Sequence, residues 1–284
     1  MSLSTSYLAR LKHFSPAILG ATESEIRAGI LSEKHSVFRD EALSLGREGD
    51  FSSFYAPFDW VNEAADVVIV GVTPGRQQAL EALTVLRQAL VTGLSIEEAA
   101  QRAKTAASFK GGMRTLGARL MDHFQLNTLF GLETTLDLFG DASSRAHYTS
   151  ALRYPVLKRL GNYAGDARLL ARPLLRKMVH EHLAVELALL PNAWIVPFDP
   201  TAHLAVAEVA KQGNVSLDRV LGGILHPGGQ QWNRYNVQLD LVDDDAAAKV
   251  PGGLEVIRRS AALREKVCGA LATSKSATAT MSEL

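Results

Sequence analysis

The feature that most constrains this chain is a run of β-branched residues, Val67 to Val72 (VVIVGV), that ends at a proline–glycine turn and passes directly into a helical pattern. A strand that is apolar at successive positions must be covered on both faces, which favours a parallel sheet between layers of helix. Three further runs follow: His147 to Leu152 (HYTSAL), Ala193 to Asp199 (AWIVPFD) and Val220 to His226 (VLGGILH). Helical periodicity marks Gln77 to Val91, Ile96 to Ala106, Met113 to Phe124, about Asp166 to Leu190, and Ala202 to Lys211. Ser95 and Glu98 have the spacing of a capping box, in which each side chain satisfies the other's backbone amide at a helix start. This alternation predicts an α/β fold: a three-layer sandwich with a central, mainly parallel four-stranded sheet flanked by helices.

Residues 1–60 read as helix and loop, ending in the aromatic stretch FSSFYAPFDW, and are expected to form an N-terminal helical cap. Pro251-Gly252-Gly253 opens a last helix, Leu254 to Leu271, after which the small polar segment 271–284 is expected to be a flexible tail. No internal repeat and no long Gly/Ser-rich linker divides the chain, so residues 1–270 are expected to form one domain.

Lys plus Arg number 30 and Asp plus Glu also 30, so the formal net charge is zero and no argument for nucleic acid follows from overall charge. The single cysteine, Cys268, cannot close an internal disulfide or supply a four-thiolate cage, which excludes a conventional iron–sulfur cluster and points to a reduced, cytoplasmic setting. No run approaches the roughly 18 apolar residues that span a bilayer, so no membrane partner is expected. His180-Glu181-His182 lacks the spacing of a helical zinc site, because residues two apart on a helix face different sides, and no metal site is expected.

In open α/β sheets ligands bind beyond the carboxyl ends of the strands. The first run exits through Gly71-Val72-Thr73-Pro74-Gly75-Arg76-Gln77, which lets backbone approach a ligand but matches neither a Walker loop nor GxGxxG. The last run exits through His226-Pro227-Gly228-Gly229-Gln230-Gln231-Trp232-Asn233-Arg234, placing one imidazole at the mouth of the sheet before a glycine-rich loop. A neutral imidazole there can donate a hydrogen bond to charge developing on a leaving group.

Taken in order, VVIVGVTPG, TSALRYP and LHPGGQQWNR resemble the signature segments of the uracil-DNA glycosylase superfamily. Those enzymes carry G-x-(Asp/Asn/Ala)-P-(Tyr/Gly) after the first strand and a His-Pro-Ser motif after the last. Phe109-Lys110-Gly111-Gly112 is similar to the segment that supplies their base-stacking platform. The resemblance covers roughly residues 65–234. It implies a DNA glycosylase that acts as a monomer on single- or double-stranded DNA, without cofactor, in base-excision repair or the removal of modified bases from foreign DNA. His226 would stabilise the departing base. Gly71, Val72, Pro74 and Gly75 would wall the sugar side, Phe109 would stack on the base, and Ser150 would stand where family members read the pyrimidine edge with an asparagine. Arg76, Gln77, Lys158, Gly228, Gly229, Gln231, Trp232 and Arg234 would meet the DNA.

Three departures from the family pattern bear on mechanism. Thr73 occupies the place of the water-activating Asp or Asn and cannot act as a base near neutral pH, so catalysis would lean on leaving-group stabilisation. Asp59, and secondarily Asp199, are candidate substitutes. Ser150 and Gly228 carry less side chain than their family counterparts, which predicts a roomier pocket. Positive potential would be local, from Arg76, Lys110, Arg114, Arg153, Lys158 and Arg234, with further basic side chains at Arg159, Arg168, Arg172, Arg176 and Lys177. Two other readings fit the sequence: a catalytically weak or inactive relative that binds nucleic acid or a free base, and an unrelated α/β enzyme using the first turn and its helix N-terminus as an anion site.

Overall fold

A computed structural model describes residues 3–282 with the exception of Asn214. The chain begins with helices α1 (Leu3–Gly20) and α2 (Glu23–Leu31), followed by a hairpin of strands β1 (Ser44–Glu48) and β2 (Phe51–Phe54). Strand β3 (Val67–Gly71) then leads into α3 (Arg76–Val91), α4 (Ile96–Ala107), α5 (Gly112–His123) and the short α6 (Leu126–Phe130). Next come β4 (Ala146–Ser150), β5 (Val156–Lys158) and β6 (Gly161–Asn162). Helix α7 (Pro173–Met178), a π-helical turn (Val179–Leu183) and α8 (Ala184–Ala188) run consecutively before β7 (Trp194–Pro197) and α9 (Pro200–Ala210). Helices α10 (Trp232–Gln238), α11 (Asp244–Lys249) and α12 (Gly253–Ser282) complete the order.

The α/β class and the parallel sheet are as the sequence predicts, but the fourth strand is reduced. Strands β4, β3 and β7 pair in parallel in that order, with Val67 opposite Ala146 and Trp194. The segment 220–226 joins β7 only through two isolated parallel bridges, Ile195 to Val220 and Phe198 to Ile224. Gly222 and Gly223 explain why. A Cβ on Gly222 would lie 2.5 Å from the His203 ring, and one on Gly223 would lie 2.9 Å from the Arg259 carbonyl oxygen of α12, so this backbone is bent against its neighbours instead of laddered.

Successive residues of β3 alternate between two apolar cores: Val68 and Val70 face the one that holds α1–α4, and Val67 and Ile69 face the one that holds α5, α10 and α12. That alternation is the two-faced burial required of a parallel strand. The predicted helices at α3, α4, α5 and α9 are present, and Ser95 and Glu98 do form the capping box at α4.

Three expectations need correction. Residues 1–60 contain the β1–β2 hairpin, which forms a second, antiparallel sheet in the order β1-β2-β5-β6; its short, half-exposed strands lack the apolar runs that reveal a buried strand. The segment 166–190 is not one helix: it passes through a 3-10 turn, α7, the π turn and α8. Helix α12 continues to Ser282 instead of ending at Leu271, because Ala, Ser and Thr in that segment do not break a helix once it has started; Glu283 and Leu284 lie outside the described residues.

Candidate active site

The carboxyl ends of β3 and β4 and the loop after residue 224 converge on one small pocket. Gly71, Val72, Thr73 and Pro74 come from the first turn, Ser150 from the end of β4, Phe109 from the α4–α5 connection and His226 from the last loop. These parts are in contact: a Cβ on Gly71 would stand 3.4 Å from both the Phe109 ring and the Ser150 Oγ. Phe109 sits at φ 49° and meets Phe198 edge to face at 5.6 Å, so its ring is fixed by packing. Six residues named from sequence as base-binding or catalytic thus share one cavity with the first turn's Thr73.

His226 is half-buried, and its ring makes no hydrogen bond among the described residues. Burial lowers its pKa, against a smaller opposing pull from Asp199, so the imidazole is neutral at pH 7. Its backbone is held by Tyr235, whose hydroxyl donates to the His226 carbonyl (2.7 Å) and accepts from the Gly229 amide (3.2 Å). Gly228 lies against the ring itself: a Cβ there would be 2.9 Å from His226 Nδ1. The space that a side chain at position 228 would take is therefore filled by imidazole. With a volume of about 30 Å³, room for about two waters, the pocket is narrow, contrary to the roomier cavity expected from Ser150 and Gly228.

Thr73 lines the pocket, but its hydroxyl is committed. It donates to the Tyr154 carbonyl (3.0 Å) and accepts from the Val156 amide (3.1 Å), tying the first turn to the entrance of β5. Asp59 is fully buried outside the pocket, accepting from the hydroxyls of Tyr55 (2.7 Å) and Tyr154 (2.5 Å). Burial raises its pKa, opposed by the Tyr154 bond and the charge of Arg153. Asp59 is thus a structural acceptor, not a base within reach of the pocket. Asp199 caps α9 through its Thr201 amide contact (2.8 Å).

Beneath the pocket is a buried ionic cluster that sequence reasoning missed. Glu186, fully buried on α8, accepts from Lys104 Nζ (2.9 Å), His147 Nε2 (2.6 Å), Thr149 Oγ1 (2.9 Å) and both Nε and Nη2 of Arg153 (3.0 and 2.8 Å). Burial alone would raise the Glu186 pKa, but the charges of Arg153 and Lys104 prevail and hold the carboxyl well below its usual range. Burial, reinforced by the Lys104 charge, pushes the His147 pKa down to about 4. Its Nδ1 accepts from the Asn62 amide (3.3 Å), so the neutral ring carries its proton on Nε2 and donates to Glu186. Lys104, Thr149 and Arg153 also line the pocket, whereas no carboxylate among the described residues does. Both cations are paired with Glu186 beneath the pocket.

Several of the residues expected on DNA make contacts within the fold. Arg76 donates to the carbonyls of Leu31 (3.2 Å) and Ser32 (2.9 Å) at the end of α2. Arg114 donates to the Thr105 and Ser108 carbonyls, Lys110 pairs with Glu81 at 2.5 Å, and Arg234 bonds the Pro251 carbonyl and the Gln231 side chain. Arg153 is buried in the ionic cluster, and Lys158 of β5 lies over the Phe51 ring of β2. Gln77 is exposed on the first turn of α3, and Trp232 is 57% exposed at the start of α10 beside Gly228 and Gly229. At the N-terminus of α3 the amides of Gly75 and Arg76 donate to Gln78 Oε1 and Asn162 Oδ1, which takes two donors away from an anion site there. His180 and His182 face different partners, Gln212 and Arg10. Among the described residues no group of three or more His, Cys, Asp or Glu is placed to hold a metal, and no helix is long and apolar enough to cross a membrane.

No family model matches the chain, and no solved structure matches it. Over 197 residues it is 29% identical to the uncharacterized protein YoxB of Bacillus subtilis (strain 168), a span covering 68% of this chain and 77% of that protein.

Proposed function

We propose that this chain is a monofunctional DNA glycosylase that hydrolyses the N-glycosidic bond of a flipped uracil or other damaged or modified base, acting as a cytoplasmic monomer in base-excision repair or against foreign DNA. The observation that carries the reading is the meeting of the Gly71–Pro74 turn, Phe109, Ser150 and a neutral His226 around one pocket at the carboxyl ends of parallel strands. Phe109 offers the stacking surface, and His226 donates a hydrogen bond to the base oxygen that gains charge as the bond to C1′ breaks. Water then attacks C1′ and loses a proton to solvent, because no side chain among the described pocket residues is a free carboxylate.

Base release from single- and double-stranded oligonucleotides carrying uracil and other lesions tests the proposal. His226→Ala is expected to slow release about 10²–10³-fold with unchanged melting. Tight DNA binding without release from any lesion would instead support a catalytically inactive relative, a reading favoured by the committed Thr73 hydroxyl and the absence of a carboxylate among the described pocket residues.

A further inference from the structure

A second cavity, of about 300 Å³, lies between α1, the β1–β2 hairpin and the helix that continues from α7 into the π turn. We infer that it binds a small molecule with a phosphate monoester head and an apolar body of nucleoside size. Arg10 is the centre of the argument. Its Nη1 bonds His182 Nε2 (3.1 Å), and its guanidinium lies over the Tyr154 ring at 5.4 Å. It forms no ion pair among the described residues, so most of its N–H fork is left for a ligand. His182, 7% exposed, belongs to the π turn, a helix irregularity that recurs at functional sites. Burial and the charges of Arg153 and Arg10 lower its pKa to about 3, so it stays a neutral acceptor that orients Arg10.

Lys177 adds a second cation, and its partner Glu181 is 3.7 Å away in a largely exposed pair. Among the described residues Glu181 is the only carboxylate on the cavity wall, against the cations Arg10 and Lys177. Leu45, Leu174, Met178 and Tyr154 supply an apolar side. A phosphate monoester matches both parts: it carries one to two negative charges and acceptor oxygens for the fork and the ammonium, while its organic body covers the apolar wall. The volume reaches the lower end of the range for small-molecule sites. This inference is independent of the glycosylase reading.

Calorimetric titration of the full chain with a nucleoside 5′-monophosphate, the same nucleoside without phosphate, and inorganic phosphate tests it. The monophosphate is expected to bind, the nucleoside to bind at least about tenfold more weakly, and Arg10→Gln to weaken the monophosphate about tenfold or more. Lys177→Gln, at an exposed position where folding is not at stake, is expected to weaken it severalfold, and His226→Ala to leave it unchanged. Absence of monophosphate binding, or equal affinity in both Arg10→Gln and Lys177→Gln, would overturn the site. Loss of binding in His226→Ala would move it to the first pocket, and inorganic phosphate binding as tightly as the monophosphate would remove the apolar body from the assignment.

Discussion

His147 and His182 are both held neutral in the folded protein, with pKa values near 4 and 3, against an ordinary value of 6.5. Below pH 6.5 the unfolded chain takes up protons at these two positions and the folded chain does not, so stability rises with pH and falls on acidification. Between about pH 7.5 and pH 5 each histidine removes about 2 kcal/mol by this linkage, and together they remove about 4 kcal/mol, a large part of the ~5–15 kcal/mol that stabilises a typical domain. His203 and His226, whose pKa values burial also lowers, act in the same sense, whereas the raised pKa of Asp59 opposes it. The window lies above the ordinary carboxylate range, so the depressed Glu186, whose contribution is lost only as pH falls below about 4.5, does not enter. Urea unfolding at several pH values across the window measures the slope directly. His147→Gln lowers stability at every pH but is expected to reduce the slope by about half of the two-histidine contribution. A flat stability profile, or an unchanged slope in both His147→Gln and His182→Gln, would refute neutral burial of these rings.

Glu186→Gln leaves Lys104 and Arg153 buried without their anion and is expected to cost about 3–5 kcal/mol, read as a lower urea midpoint. Gly228→Ala places a methyl group 2.9 Å from His226 Nδ1, so it is expected to displace the ring and depress base release with little change in melting. Arg76→Ala removes two bonds to the end of α2 and is expected to lower stability by about 1–3 kcal/mol while leaving the salt dependence of DNA binding unaltered, in contrast to a phosphate-binding arginine.

The pocket was legible in the sequence because its parts lie at strand exits, where a glycine–proline turn or a histidine before glycines marks the chain locally. The ionic cluster was not, since Lys104, Arg153 and Glu186 come from separate segments, and Arg153 by itself resembles a solvated cation. A signal did exist: Lys104 shares the helix face of Ala100, Ala103 and Ala107, and Glu186 follows Leu183 by three and precedes Leu190 by four, so both interrupt apolar stripes. The fourth strand was overestimated for a different reason. Its β-branched and leucine content predicts pairing, but the contacts that bend Gly222 and Gly223 come from His203 and Arg259, which no local pattern reveals. Arg76 and Arg114 bond backbone carbonyls at helix ends, contacts that no local sequence pattern reveals.

The two-bridge attachment of residues 220–226 separates the placement of His226 from the integrity of the sheet. A regular ladder would lock the imidazole into the register of β7. Here its surroundings are set by the His203 ring of α9, the Tyr235 hydroxyl of α10 and the Arg259 carbonyl of α12, all outside the pocket. Substitutions at His203 and Tyr235 can therefore re-aim the histidine by small steps without unzipping a strand, which gives the fold a means of retuning its chemistry from a distance.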